Sequence, residues 1–262
     1  MPSAKCTTTH RHTRRPGAFT LLELLVVIAI MTLLLSLLLP ALSRLRAGAK
    51  AVKCMANLRV VAFDFQLFAN ESFDEDRGDS NDLPHGVFNF LDFAEREYRL
   101  DEFWVGEASG PQTLDGATDH MLCPSVPGAL ERTPRQPCGR RGIGPRDNVG
   151  YSFNARLYQR TLYLNGRPIV DRKTRVRSDV LRRLNVPVAF DVDGAAADLE
   201  ETDPYFTAPA LAGVYDVYSD ARAWFPGYRH AGKMNVVFVG GYVRSTASAT
   251  HEPGWDWKYQ PE

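Results

Sequence analysis

Phe19-Thr-Leu-Leu-Glu-Leu-Leu-Val-Val-Ile-Ala-Ile-Met-Thr-Leu-Leu-Leu-Ser-Leu-Leu-Leu39 is a run of 21 residues that carries a single charge, Glu23. As an α-helix rising about 1.5 Å per residue it spans about 31 Å, one bilayer core. A secretory signal has a shorter apolar region followed by a small-residue cleavage site. Here Pro40-Ala-Leu-Ser-Arg follows the run, and the small pair Gly17-Ala18 stands before it. The segment therefore reads as a membrane anchor. Glu23 is its odd residue, because a carboxylate in lipid is costly and generally has a partner. Two readings stand for it: a site shallow enough to be wetted at the headgroups, or a carboxylate that meets an amine of another chain.

Outward from this run, the two flanks differ. Residues 1–18 contain Lys5, Arg11, Arg14 and Arg15 and no acid, which leaves 27 basic against 31 acidic residues beyond them, a net of −4. Arg44, Arg46, Lys50, Lys53 and Arg59 follow on the other side, so the positive-inside rule does not orient the helix. Over all 262 residues, 31 Lys and Arg balance 31 Asp and Glu. No overall charge excess points to nucleic acid or an anionic surface. A hydrophobic fraction of 44% with 24% charged residues excludes collagen, wholesale disorder and a polytopic membrane protein.

The helical pattern continues past Pro40. Leu45, Ala49, Val52, Ala56, Val60, Phe63 and Leu67 step by 4, 3, 4, 4, 3 and 4, a continuous stripe. Leu58, Val61, Phe65 and Phe68 widen it enough for burial on two sides, and the pattern frays in 70–82. The spine is thus apolar all round in its first half (19–39) and amphipathic in its second (40–72). Beyond it, 73–262 reads as a globular head. A short helix is expected within Phe88–Tyr98, loops over 110–148, a hairpin about Asn165-Gly166, a buried strand at Val186–Val192, and a second hairpin about Gly240-Gly241. A long helix followed by an antiparallel sheet is an α+β fold.

Gly17-Ala-Phe-Thr-Leu-Leu-Glu-Leu-Leu-Val-Val-Ile-Ala-Ile30 resembles the type IV prepilin signature of pilins and type II secretion pseudopilins. The resemblance implies that a prepilin peptidase cuts between Ala18 and Phe19 and methylates the new N-terminus at Phe19. Glu23, then fifth in the mature chain, would meet the amine of a neighbouring subunit during assembly. Pro40, then at position 22, would kink the helix. The family prefers Gly before the cut. Here it is Ala18, and a cut after Gly17 would make Glu23 sixth, so Ala18/Phe19 is assigned. The leader would lie in the cytosol, with everything after Pro40 outside an inner membrane.

A second resemblance is to a pseudopilin-like subgroup. It rests on Cys54-Met-Ala-Asn-Leu-Arg59, Phe68-Ala-Asn70 with Leu83-Pro84, Cys123-Pro-Ser125, Tyr151-Ser-Phe-Asn154, and His230 followed by nine residues and Gly240-Gly241. The subgroup carries Asp-Gly where this chain has Gly-Gly, so any role of that carboxylate is absent.

Cys6 falls in the leader, and Cys54, Cys123 and Cys138 would be exported to an oxidising compartment. Their arrangement is open between Cys54–Cys123, which would staple the spine to the following loops, Cys123–Cys138, and free thiols. His120, Cys123 and Cys138 give three zinc ligands in view, one short of a structural site. Asp74, Asp76 and Asp79 around Gly78 could take calcium but lack EF-hand spacing, so a solvated loop is the simpler reading and no cofactor is expected. The arginines at 132, 135, 140, 141 and 146 lack interleaved aromatics and read as a loop rather than a nucleic-acid surface. His230 with Asp191 or Asp193 could serve as a base and its orienter, yet no nucleophile elbow, phosphate loop or zinc-protease helix accompanies them. Asp193-Gly194 reads as a turn, and His230 as the cap of the last hairpin. Trp255, Trp257 and Tyr259 read as cover for the sheet.

The reading that results is a non-catalytic pilin-like or pseudopilin subunit. Its expected partners are other pilin-like subunits, the prepilin peptidase and an inner-membrane assembly platform. The alternative is a surface-displayed binding module, for adhesion, polysaccharide or DNA contact, on the same anchor.

Overall fold

A computed structural model describes residues 20–71, 86–98, 112–113, 120–126, 131–132, 149–165, 167–171, 174–200, 202–219 and 223–261. The chain divides into two units, Met1–Arg46 and Ala47–Glu262. Helix α1 (Leu21–Glu71) contributes to both and runs without a break through Pro40. In the first unit its side chains are exposed, from Leu21 to Leu45. Among the described residues, α1 is the one helix long and apolar enough to cross a membrane. Two of its hydroxyls are satisfied within the helix: Thr32 donates to the Ala29 carbonyl at 2.9 Å and Ser36 to that of Leu33 at 2.7 Å, as an apolar surround would require.

The head is built on a five-stranded sheet of order β11-β10-β8-β4-β9, with β4 at Tyr151–Asn154, β8 at Pro187–Asp191, β9 at Phe206–Thr207, β10 at Met234–Phe238 and β11 at Val243–Thr246. β8 and β10 are buried at every position. A sheet covered on both faces needs no polar alternation, which is why these strands read as unbroken apolar runs. Successive residues of β10 serve different cores. Val237 joins α1 and the phenylalanines in one, while Met234, Val236 and Phe238 join Phe190 and Trp257 in the other. The Trp224 and Trp257 rings, 5.0 Å and 5.5 Å from Phe190 between centroids, close the second face. Trp255, 4.8 Å from Phe238, extends it, so the C-terminal aromatics do cover the sheet.

Against the first face lies the second half of α1. Cys54, Leu58, Val61, Ala62, Phe65, Phe68 and Ala69 are buried, and Phe65 packs edge-on to Phe93 of α2 (Phe90–Tyr98) at 5.4 Å. Each such aromatic pair adds about 0.5–1.5 kcal/mol beyond area burial. The covered stripe is therefore the one that widens the pattern. The stripe read first is turned outward, with Leu45 70% and Phe63 61% exposed and Val52 and Leu67 beside them. Phe65 and Phe68 meet Phe88, Phe90 and Phe93 with ring centroids 5.4–5.9 Å apart, and this aromatic cluster holds the phase.

Three expectations are corrected. The sheet is mixed, because β9 pairs parallel to β4 (Phe153↔Phe206) while the other pairings are antiparallel. After β8 the chain runs through a short helix, Gly194–Leu199, before reaching β4 from its far side. Asp193 is the cap of that helix and not merely a turn residue: its carboxylate accepts from the Ala196 N–H at 3.1 Å. Within 110–148, the pair β2 (Gln112–Thr113) and β3 (Glu131–Arg132) interrupts the loops. The hairpin about Asn165 forms, with β5 (Arg160–Leu164) on β6 (Arg167–Asp171) and Asn165 at φ 53°, but as a separate two-stranded sheet. A further short pair joins β1 (Val87–Phe88) to β7 (Val176–Arg177).

Candidate functional site

At the N-terminal end, Thr20 precedes the first helical residue, and Glu23 folds back onto it. The Glu23 carboxylate accepts from the Thr20 N–H and from its hydroxyl, both at 2.9 Å, and the Thr20 hydroxyl accepts from the Glu23 N–H at 3.2 Å. This is the capping-box arrangement, which satisfies the first free donors of a helix. Ala18 and Phe19 lie outside the described residues, as do Cys6, Cys138, Asp74, Asp76, Asp79 and the arginines from 135 to 146.

The polar centre of the head lies at the junction of α1, the 120–126 segment and the sheet. Cys54 and Cys123 are joined by a disulfide, with their Cα atoms 5.2 Å apart across 69 residues of sequence. One turn along α1, the buried Asn57 amide donates to the Leu122 carbonyl at 2.8 Å. The Tyr151 hydroxyl donates to the Cys54 carbonyl at 3.2 Å. The segment can approach only because residue 150 is glycine: a Cβ there would lie 2.7 Å from the Cys123 Cβ.

His230 enters from a tight turn before β10. It pairs with Lys233 through both backbone hydrogen bonds at 3.1 Å, and Ala231 and Gly232 hold φ of 53° and 75° between them. That turn sends the imidazole inward, where its side chain is 6% exposed. Nε2 lies 3.3 Å from Oδ2 of Asp191 and 3.7 Å from Sγ of Cys123. Asp191, the last residue of β8, is fully buried, and its Oδ2 also accepts from the Asn235 N–H at 2.7 Å. Its Oδ1 has no hydrogen-bond partner among the described residues. The neighbouring Arg229 guanidinium donates to the carbonyls of Val192 and Gly150. Burial pushes the Tyr151 phenol well above its ordinary range, the Asp191 charge adds to that, and Arg229 opposes it.

Cys54, Asn57, Cys123, Tyr151 and His230 thus share one site, although they come from four separate motifs. Gly240 and Gly241 do not join them. They follow β10 at its other end, where Gly241 turns the chain at φ 78° and the Val239 carbonyl accepts from the Gln66 amide of α1. His120 is exposed, Cys123 is bonded to Cys54, and Cys138 lies outside the described residues; the histidine beside Cys123 is His230. His230 does more than cap the hairpin, because its ring reaches both Cys123 and Asp191. Arg229 and Asn235 carried no signal in the sequence, since Arg229 acts on backbone carbonyls and Asn235 through its own backbone N–H, contacts that only the fold supplies.

No curated protein and no solved structure matches this chain. The family model of the prokaryotic N-terminal methylation motif matches residues 13–39, which spans the Ala18–Phe19 step, Glu23 and the apolar run. This chain therefore carries the prepilin-type N-terminal methylation signature, which leads into the apolar helix α1.

Proposed function

We propose that the chain is a non-catalytic structural subunit of a type II secretion pseudopilus or a type IV pilus-like filament. A prepilin peptidase cuts between Ala18 and Phe19 and methylates Phe19. The subunit then waits in the inner membrane with its head exported, and an assembly platform adds it to the filament through α1, which Pro40 kinks. The observation that carries this reading is the methylation motif at 13–39, with Glu23 five residues into the mature chain. The outward stripe of Val52, Phe63 and Leu67, which the subunit's own head leaves bare, supports packing against neighbouring helices.

Fractionation of sheared filaments from producing cells tests the proposal. Recovery of the chain in the filament fraction, dependent on the peptidase, supports it. Retention in the membrane alone, with loss of surface adhesion when the chain is deleted, supports the anchored binding module instead.

A further inference from the structure

We propose that the Cys54–Cys123 pair, when reduced, forms with His230 and Asp191 a buried four-ligand zinc site, so that one cluster holds either a disulfide or a metal ion. The sulfurs of Cys54 and Cys123 and a ring nitrogen of His230 lie within 4.8 Å of one another. Tetrahedral zinc, with bonds of about 2.0–2.3 Å, places a nitrogen and an oxygen ligand about 3.3 Å apart, and a nitrogen and a sulfur about 3.6 Å apart. The observed spacings from His230 Nε2 are 3.3 Å to Asp191 Oδ2 and 3.7 Å to Cys123 Sγ. Two of the ligand spacings are therefore already in place. Two adjustments remain once the bond is open: separation of the two sulfurs to about 3.8 Å by side-chain rotation, and approach of the Asp191 carboxylate, which lies outside the 4.8 Å group, to both of them.

A second observation points the same way. Asp191 is fully buried, yet its Oδ1 has no hydrogen-bond partner among the described residues. A buried carboxylate left partly unsatisfied is expensive, and a cation beside it removes that cost. Two thiolates and a carboxylate on Zn²⁺ leave one negative charge, next to the Arg229 guanidinium held on the Gly150 carbonyl. The soft thiolates and the imidazole select zinc over calcium or magnesium.

The chemistry balances with a dithiol as reductant. The dithiol delivers two electrons and two protons to the S–S bond and leaves as its own disulfide. Zinc then displaces the two thiol protons to solvent and forms two Zn–S bonds.

The test uses the full-length chain in detergent micelles with Cys6→Ser and Cys138→Ser, so that only this pair titrates. After reduction by a dithiol and its removal under anaerobic conditions, Co²⁺ and then Zn²⁺ are added. The expected result is one metal per chain, a thiolate-to-cobalt charge-transfer band, tetrahedral d–d bands, and no binding by the oxidised chain. His230→Gln and Asp191→Asn should each weaken binding at least tenfold. If reduction loosens the head, zinc should restore its near-ultraviolet dichroism and raise its Tm. The proposal is overturned if the reduced chain takes up no metal at tenfold excess, if zinc restores no structure to a loosened head, or if both variants bind like the parent.

Discussion

Glu23 is bonded to Thr20 by both the backbone N–H and the hydroxyl, so the carboxylate proposed for contact with a neighbouring amine already caps its own helix. An incoming amine must replace these two neutral donors. A cationic partner adds the attraction of opposite charges to the hydrogen bond, which the neutral Thr20 donors cannot supply, and that attraction is strongest in a low-dielectric setting.

Glu23→Ala should therefore leave the chain inserted and reduce its incorporation into filaments at least tenfold. Thr20→Val removes the hydroxyl donor, keeps the backbone N–H on the carboxylate, and should leave incorporation intact while the helix N-terminus is weakened. Membrane and filament fractions of the two variants, probed side by side, check both outcomes. Equal incorporation of Glu23→Ala and the parent would refute the pairing.

Tyr151 sets an alkaline limit on the head. Burial and the Asp191 charge raise its folded-state pKa, whereas the unfolded phenol ionises near pH ~10. The folded state then binds more protons than the unfolded one above that pH. Its stability should be fully present below pH ~10 and fall above it, by up to about 1.4 kcal/mol per pH unit. Denaturant melts between pH 8 and 11.5 measure this slope, and Tyr151→Phe should flatten it.

The disulfide joins residues 69 positions apart in sequence, for which chain entropy gives about 4 kcal/mol. Melting with and without a dithiol, in metal-free buffer, should show a loss of that order. The same loss is expected for Cys123→Ser without reductant. Non-reducing peptide mapping that finds Cys123 as a free thiol would contradict this account of the cysteines.

A buried ion pair, Arg156 with Asp216, holds the other end of the sheet. Arg156 is fully buried and donates through Nε and Nη2 to one oxygen of Asp216, at 2.9 and 2.7 Å, with Tyr218 stacked 4.9 Å from its guanidinium carbon. Asp216→Ala leaves that cation unpaired and should cost about 3–5 kcal/mol, whereas the double change Arg156→Met with Asp216→Leu should cost much less. Urea melts of the two variants decide between these outcomes.

Much of this fold was legible because burial leaves a periodic trace. α1 showed its 3.6-residue repeat, and β8 and β10 showed apolar runs that two covered faces allow. Asn165 marked its hairpin through its left-handed preference. β9, two residues long, leaves no pattern, and its parallel pairing depends on a crossover that periodicity does not encode. Which stripe of α1 is covered was not legible either, since both are apolar and only the phenylalanines of 88–93 choose between them. In the site, Cys54, Cys123, His230 and Asp191 stood out as residue types. Their meeting depends on the register Val236↔Phe190 and on the turn at Ala231, which are set by the sheet.

The central claim is that 13–39 acts as a processed prepilin signature, and intact-mass and peptide mass spectrometry of the chain from its native membrane tests it most directly. The account predicts a mature chain that begins at Phe19, 14 mass units heavier through one methyl group on its amine. A chain that keeps its leader, or one that begins at Ala18 or at any residue after Phe19, would contradict it.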